Sequence, residues 1–300
     1  MIQRLLHRRL MAYSATFDPQ EVVRRHAVTG LKPRPGRLVN FLGTGVDPDY
    51  FGALLAGRAG TVEAVPIPGN WHACVSEWAA CLRAVDLAAG AFTIVELGCG
   101  WGCWLNNMAV AAGLAGLEIH LIGVEGDADH RACARRTCTE NGVPAERLTL
   151  LAGIAAARPG VALFPRQRGQ GGSWGLEPVF GATEPQRKAA RQSGRYDELP
   201  MLPLESVIGE HPRIDLLHVD IQGGEADLLE NSRDLLAARV AYIVVGTHGR
   251  DLERRIRVAL ERDGWLLEIE RPAIMRLGWR GTRLKVDGVQ GWRNPRLLPV

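Results

Sequence analysis

The sequence contains no apolar run approaching the ~20 residues that a membrane-spanning helix requires, so no membrane span is expected. Its six cysteines, Cys74, Cys81, Cys99, Cys103, Cys133 and Cys138, form no C-x-x-C pair and no paired Cys/His zinc spacing. They read as reduced thiols, which places the protein in the cytoplasm. Lysine is scarce: Lys32, Lys188 and Lys285 are the only three among 36 basic residues. None of them follows a tyrosine by four positions, so the Tyr-x-x-x-Lys pair of many dinucleotide oxidoreductases is absent. The net charge of +3 gives neither a general nucleic-acid footprint nor an acidic tail. No internal repeat or low-complexity tract is present.

What is there is an ordinary folding composition, 46% hydrophobic and 23% charged over 300 residues. It fits one large domain with a decorated N-terminus. The charge is uneven, because residues 1–40 carry eight Arg or Lys against Asp18 and Glu21. The opening MIQRLLHRRLMAYSATF is basic but lacks an apolar stretch leading to a small-residue cleavage site, and reads as a frayed arm or as a start at Met11. Residues 33–70 are dense in turn formers around one short helix near 50–55. An N-terminal arm and irregular segment over 1–71 is thereby set apart from a domain over 72–300.

From His72 the pattern becomes periodic. Val75, Trp78, Ala79, Leu82 and Val85 recur at helical spacing, ending at Ala89-Gly90. Strands at 92–97, 118–125, 148–152, 214–220, 240–247 and 265–270 then alternate with helices at 102–112, 127–141, 225–237 and 251–263. Short β-rich runs alternating with helices of this length predict a doubly wound, mostly parallel α/β sheet. The stretch 158–200 has no clear period and exceeds ordinary loop length, so it is expected to be a lid or an insertion. Trp174 within its glycine-rich run favours a lid that contacts substrate.

The strongest chemical signal is Glu96-Leu97-Gly98-Cys99-Gly100-Trp101-Gly102, directly after the first strand. Gly98, Gly100 and Gly102 at a strand-to-helix turn let the backbone approach a ligand and free the helix N-terminus to face it. The spacing G-x-G-x-G with an acid two positions ahead differs from G-x-G-x-x-G, and Glu96 suits a cationic amino-acid moiety better than a pyrophosphate. Glu125 ends the second strand, where a carboxylate can accept from both ribose hydroxyls; the alternative is that it caps the next helix. Gly153 and Ile154, after strand three, would lie beside an adenine.

Together VELGCGWGCW, GVEGD, LESVIGEHPRIDLLHVDIQGGEADLL and YIVVGTHGRDLE resemble the FkbM-type S-adenosylmethionine-dependent methyltransferases over roughly residues 90–270. Members more often carry Asp-Val-Glu-Gly after the fourth strand, where this chain has Asp220-Ile221-Gln222-Gly223. The resemblance implies a seven-stranded class I sheet of order 3-2-1-4-5-7-6 with its last strand antiparallel, and S-adenosylmethionine as cofactor. Glu96 and Asp220 would then end the strands that flank the switch point. His218 shares the face of Asp220, and His248 follows the next strand.

His248 is the expected general base, since imidazole titrates near neutral pH, with Asp220 orienting the acceptor. Asp220, His218 and His248 are also conceivable transition-metal ligands, but one carboxylate among three makes a Mg²⁺ site unconvincing and no metal is expected. Asn70 reads as a helix N-cap, His72 as a substrate contact, Glu77 as surface and Trp78 as core. The Asn/Asp-Pro-Pro-aromatic motif of many amino methyltransferases is missing. Oxygen methylation is therefore the expected chemistry; the resemblance implies a glycan, antibiotic or other hydroxylated small molecule as acceptor, and no nucleic-acid partner is expected. A non-catalytic cofactor-binding protein, or less favourably an NAD(P)-dependent oxidoreductase, are the competing readings.

Overall fold

A computed structural model describes residues 12–167, 175–279 and 281–299. The predicted core strands are present as β5 (Ala91–Leu97), β6 (Glu118–Glu125), β7 (Leu148–Ala152), β11 (Leu216–Val219), β12 (Tyr242–Thr247) and β13 (Leu266–Arg271). They join β1 (Ser14–Ala15) and β16 (Gly288–Arg293) in one eight-stranded sheet of order β1-β13-β16-β12-β11-β5-β6-β7. Read from β7, this is 3-2-1-4-5-7-6 with an N-terminal strand added at the far edge. β5, β6, β7, β11 and β12 pair in parallel. β16 enters antiparallel between β12 and β13, and β1 pairs antiparallel with β13.

The helices cover both faces as the pattern requires. α2 (Val75–Leu87) and α3 (Cys103–Leu114) bury Trp78, Leu82, Trp104, Leu105 and Met108 against the sheet. α4 (Ala128–Glu140) packs beside α3. On the opposite face α6 (Leu204–Ile208), α7 (Glu225–Asn231), α8 (Arg233–Arg239) and α9 (Arg250–Arg262) bury Leu204, Ile208, Leu228, Leu236, Ile256 and Leu260 with residues of β11 and β12. The single helix expected over 225–237 is two helices that meet at Ser232, which ends one and begins the next.

Described residues before 72 are built into the same core. α1 (Pro19–Arg25) contributes Val22 and Val23. β2 (Leu38–Val39), β3 (Gly45–Val46) and β4 (Thr61–Val62) make a small sheet whose Leu38, Phe41 and Leu42 pack with α2 and α3 residues. Polar ties fix it in place: Arg37 forms a bidentate pair with Glu140, and Asn40 donates to Asn107 at 2.6 Å.

The stretch read as a lid or insertion holds β9 (Gly160–Pro165), α5 (Glu184–Ser193) and most of β10 (Tyr196–Leu202). With β8 (Ile154–Ala155) these strands form a second small sheet, β8-β10-β9, which buries Ile154, Ala162 and Phe164. Trp174, predicted as a substrate contact, lies outside the described residues. A final hairpin, β14 (Ile274–Gly278) and β15 (Gly281–Val286), precedes β16. No helix among the described residues is long and apolar enough to cross a membrane.

Candidate active site

One cavity of about 700 Å³ opens at the carboxyl ends of β5, β6, β11 and β12, within the range of small-molecule sites. Its floor is the glycine-rich turn. Gly98 and Gly100 line the cavity at φ of 76° and 51°, the left-handed region that glycine enters without strain. A Cβ at Gly98 would overlap the carbonyl oxygen of Asp220, so glycine is what lets β5 and β11 approach each other here. Gly102, grouped with them by sequence, does not line the cavity. It is the left-handed N-cap of α3, and a Cβ there would press on Ala134 of α4, so its role is close helix packing.

Glu96 faces the cavity from β5. Its oxygens accept from the backbone N–H groups of Trp104 and Leu105, at 3.3 and 2.9 Å. Burial pushes its pKa up to about 8 despite those bonds and the neighbouring His218. Glu125 ends β6 with one oxygen accepting from Gly100 N–H at 2.8 Å and the other from Asp127 N–H at 2.7 Å. The cap of α4 is Asp127, which accepts from Asp129 and His130 N–H, so capping does not account for Glu125. Gly153 and Ile154 line the same end of the cavity, beside Phe164.

The wall opposite is aromatic. His72 projects into the cavity, with its ring centroid 5.6 Å from Trp101 and 5.7 Å from Trp104. Trp71 stacks on Trp101 at 5.9 Å, and Trp104 lies 5.3 Å from His218. Desolvation among these rings lowers the His72 pKa to about 4, which leaves a neutral imidazole with a free lone pair. Asn70 is not the N-cap of α2, a position held by Cys74. Its carbonyl oxygen instead accepts from His72 N–H, Ala73 N–H and Trp78 Nε1, which folds the turn that presents His72.

His218 and Asp220 both line the cavity. Glu77, expected on the surface, turns inward and its Oε1 lies 3.2 Å from His218 Nε2. Burial disfavours charge on His218, but that bond and the nearby Glu77, Glu96 and Asp220 charges outweigh it and raise the pKa. His248 is not among the residues lining the cavity; it sits behind Asp220. Its Nδ1 is 2.9 Å from Glu225 Oε1 and its Nε2 is 3.3 Å from Asp220 Oδ1. Burial opposes its charge, yet the hydrogen bonds to the two carboxylates prevail and push its pKa up to about 10. An imidazolium that donates from both nitrogens has no lone pair for a substrate proton, so this geometry gives His248 a positioning place rather than the predicted base position.

Sequence reasoning missed Glu225. This fully buried carboxylate accepts from Ile221 and Gly223 N–H as well as from His248, and thereby shapes the turn after β11. Within that turn Gln222 has φ of 57° and donates to Asp220 Oδ1 at 2.9 Å. Asp220, Glu225 and His248 place one ligand atom each within 4.8 Å of one another, but a cation bound by His248 would have to displace one of the two N–H protons it directs at Asp220 and Glu225.

The parallel sheet, its switch point between β5 and β11, and the glycine turn facing a carboxylate at the end of β6 define a class I, Rossmann-like methyltransferase fold. The chain belongs to the FkbM methyltransferase family: the model described as "Methyltransferase FkbM domain" matches residues 104–266. A Jannaschia sp. (strain CCS1) protein named "Putative methyltransferase" is 43% identical over 275 residues, covering 92% of this chain and 98% of its own. Among solved structures, the precorrin-6y C5,15-methyltransferase of Geobacter metallireducens GS-15 superposes with a TM-score of 0.39 at 10% identity, covering 71% of this chain and 86% of its own. The ribosomal protein L11 methylase of Lactobacillus delbrueckii subsp. bulgaricus gives 0.37 at 11%, covering 72% and 77%.

Proposed function

We propose that this methyltransferase uses S-adenosylmethionine to methylate a hydroxyl oxygen on a sugar, glycan or other small hydroxylated molecule. The carrying observation is one cavity shared by the Gly98–Gly100 turn, the Glu125 carboxylate and, across the sheet, His218 and Asp220. The nucleotide half fits the cofactor: Gly98 and Gly100 line it with left-handed backbone that glycine adopts without strain, and Glu125 stands where ribose hydroxyls can donate to it. The cofactor supplies an electrophilic methyl group; this chain's residues align the acceptor and handle its proton.

Asp220, whose side chain is 40% exposed, is the carboxylate that receives the acceptor's hydroxyl hydrogen. His248 and Gln222 hold it in place from behind and beside. Neutral His72 and the tryptophans form the wall on which an acceptor ring rests. Six buried thiols without a disulfide suit a reducing cytoplasm.

Calorimetric titration with S-adenosylhomocysteine, with NADH and NADPH in parallel, tests the cofactor assignment. Binding of the first alone is expected, weakened roughly 10- to 100-fold in Glu125→Ala, in line with loss of charge-assisted hydrogen bonds. Tight binding of a nicotinamide cofactor, or an unchanged Glu125→Ala affinity, would sink it. Asp220→Asn should keep that affinity and lose turnover by roughly 10²-fold or more.

A further inference from the structure

A buried guanidinium without a counter-ion closes the far end of the cavity. Arg271, the last residue of β13, is 5% exposed and lines the cavity with Lys285 of β15, Asp287 of the connection and Gly288 of β16. Its Nε lies 3.1 Å from Cys74 Sγ, a weak acceptor. Its Nη1 is buried with no hydrogen-bond partner, and among the described residues no carboxylate forms an ion pair with it. Arginine is ionised at any working pH, and an unpaired buried charge is among the costliest arrangements a fold can hold.

Four of the five acids lining the same cavity are engaged elsewhere. Glu77 faces His218, Asp220 faces His248, and Glu96 and Glu125 accept from backbone amides. Asp287 feels the Arg271 charge, but burial dominates and keeps its pKa raised. Arg271 also lies on the opposite flank of β11 from the nucleotide half, since β12, β16 and β13 follow β11 in order while β5, β6 and β7 lie on its other side. Lys285, also lining the cavity, is exposed.

We propose that the acceptor is an anion, a hydroxylated molecule whose carboxylate or phosphate group docks on Arg271, with Lys285 as a second cation. The planar guanidinium fork matches either group, and binding supplies the partner that the buried Nη1 lacks. This rests on the methyltransferase reading, because it is the acceptor half of that cavity which the anion would fill.

The test is a titration of inorganic phosphate, and separately of malonate, into the protein saturated with S-adenosylhomocysteine. Tryptophan fluorescence is followed at constant ionic strength, Trp71, Trp101 and Trp104 lining the same cavity. Saturable binding of at least one anion is expected, and which one responds identifies the group. Arg271→Leu should weaken it roughly tenfold or more, Arg271→Lys less, and Lys285→Met by a few-fold. Affinity for S-adenosylhomocysteine should be the same in all four proteins. Absence of a saturable response in the wild type, or an equal response in Arg271→Leu, overturns the proposal. So does a loss of S-adenosylhomocysteine affinity in Arg271→Leu, which would assign the guanidinium to the cofactor's own carboxylate. Should Arg271→Leu fail to fold, the graded losses in the other two variants decide. Anion binding by a wild type that ignores S-adenosylhomocysteine would overturn the cofactor reading while leaving the anion site standing.

Discussion

Between Asp220 and Glu225, His248 carries a charge whose removal can be followed with pH. Its native pKa, pushed up to about 10, lies above the ordinary 6.5, so the folded state holds this proton more tightly than the unfolded chain. Its contribution to stability is therefore complete below about pH 6.5 and is lost as pH rises through about 10. The melting-temperature difference between wild type and His248→Gln should shrink steadily across that window. A constant difference from pH 6 to 10 would show that the histidine is not held as an imidazolium. At this scale the sequence placed some of the side chains that reach the site, missed Glu77 and Glu225, and gave none of their charge states. His218 and Asp220 could be placed by strand alternation, whereas the pairing of His218 with Glu77 depends on how α2 lies across the sheet, which no local pattern encodes.

At the scale of elements, the turn before α2 decides where His72 points. Asn70 satisfies two backbone N–H groups and the Trp78 indole from one oxygen. Asn70→Ala should cost about 1 kcal/mol, the usual net loss for hydrogen bonds that are exposed or only partly buried, and weaken acceptor binding more than cofactor binding. Equal loss of both in paired titrations would contradict a local role. The central strands were legible because runs such as FTIVEL and YIVVGT combine β-branched residues with turn signals at each end. β16 was not: GVQGWR carries two glycines, Gln290 and Arg293, yet Gln290 and Trp292 are completely buried. Its place between β12 and β13 comes from long-range pairing, which the family resemblance implied and the periodicity did not. β9 and β10 were missed for a related reason, since they pair with each other in a satellite sheet away from the main core.

For the molecule as a whole, the core ignores the change of sequence character near residue 72. Val22, Val23, Leu38, Phe41, Leu42, Tyr50, Phe51 and Leu55 are all buried in the cluster that contains Trp78, Trp104 and Met108. Exposing even a few such side chains costs about 1.5–3 kcal/mol each, against a typical net stability of only about 5–15 kcal/mol. A chain of residues 72–300 alone is therefore expected to lack cooperative unfolding and a near-ultraviolet dichroism signal. A sharp thermal transition from that fragment would show instead that the later residues are self-sufficient.

The position of β16 also bears on how the protein is made. Every neighbour it separates is synthesised before it, so β12 and β13 must wait, without their shared partner, until residue 293 has left the ribosome. At about 5–20 residues per second, the delay between Arg271 and Arg293 is roughly one to four seconds. During that interval β5, β6 and β7 can already associate, while β12 offers one open edge to any strand that reaches it. A nascent chain of this enzyme would thus assemble the β5–β7 side of its sheet before the β12–β13 side, and its greatest vulnerability to mispairing falls between the synthesis of Arg271 and that of Arg293.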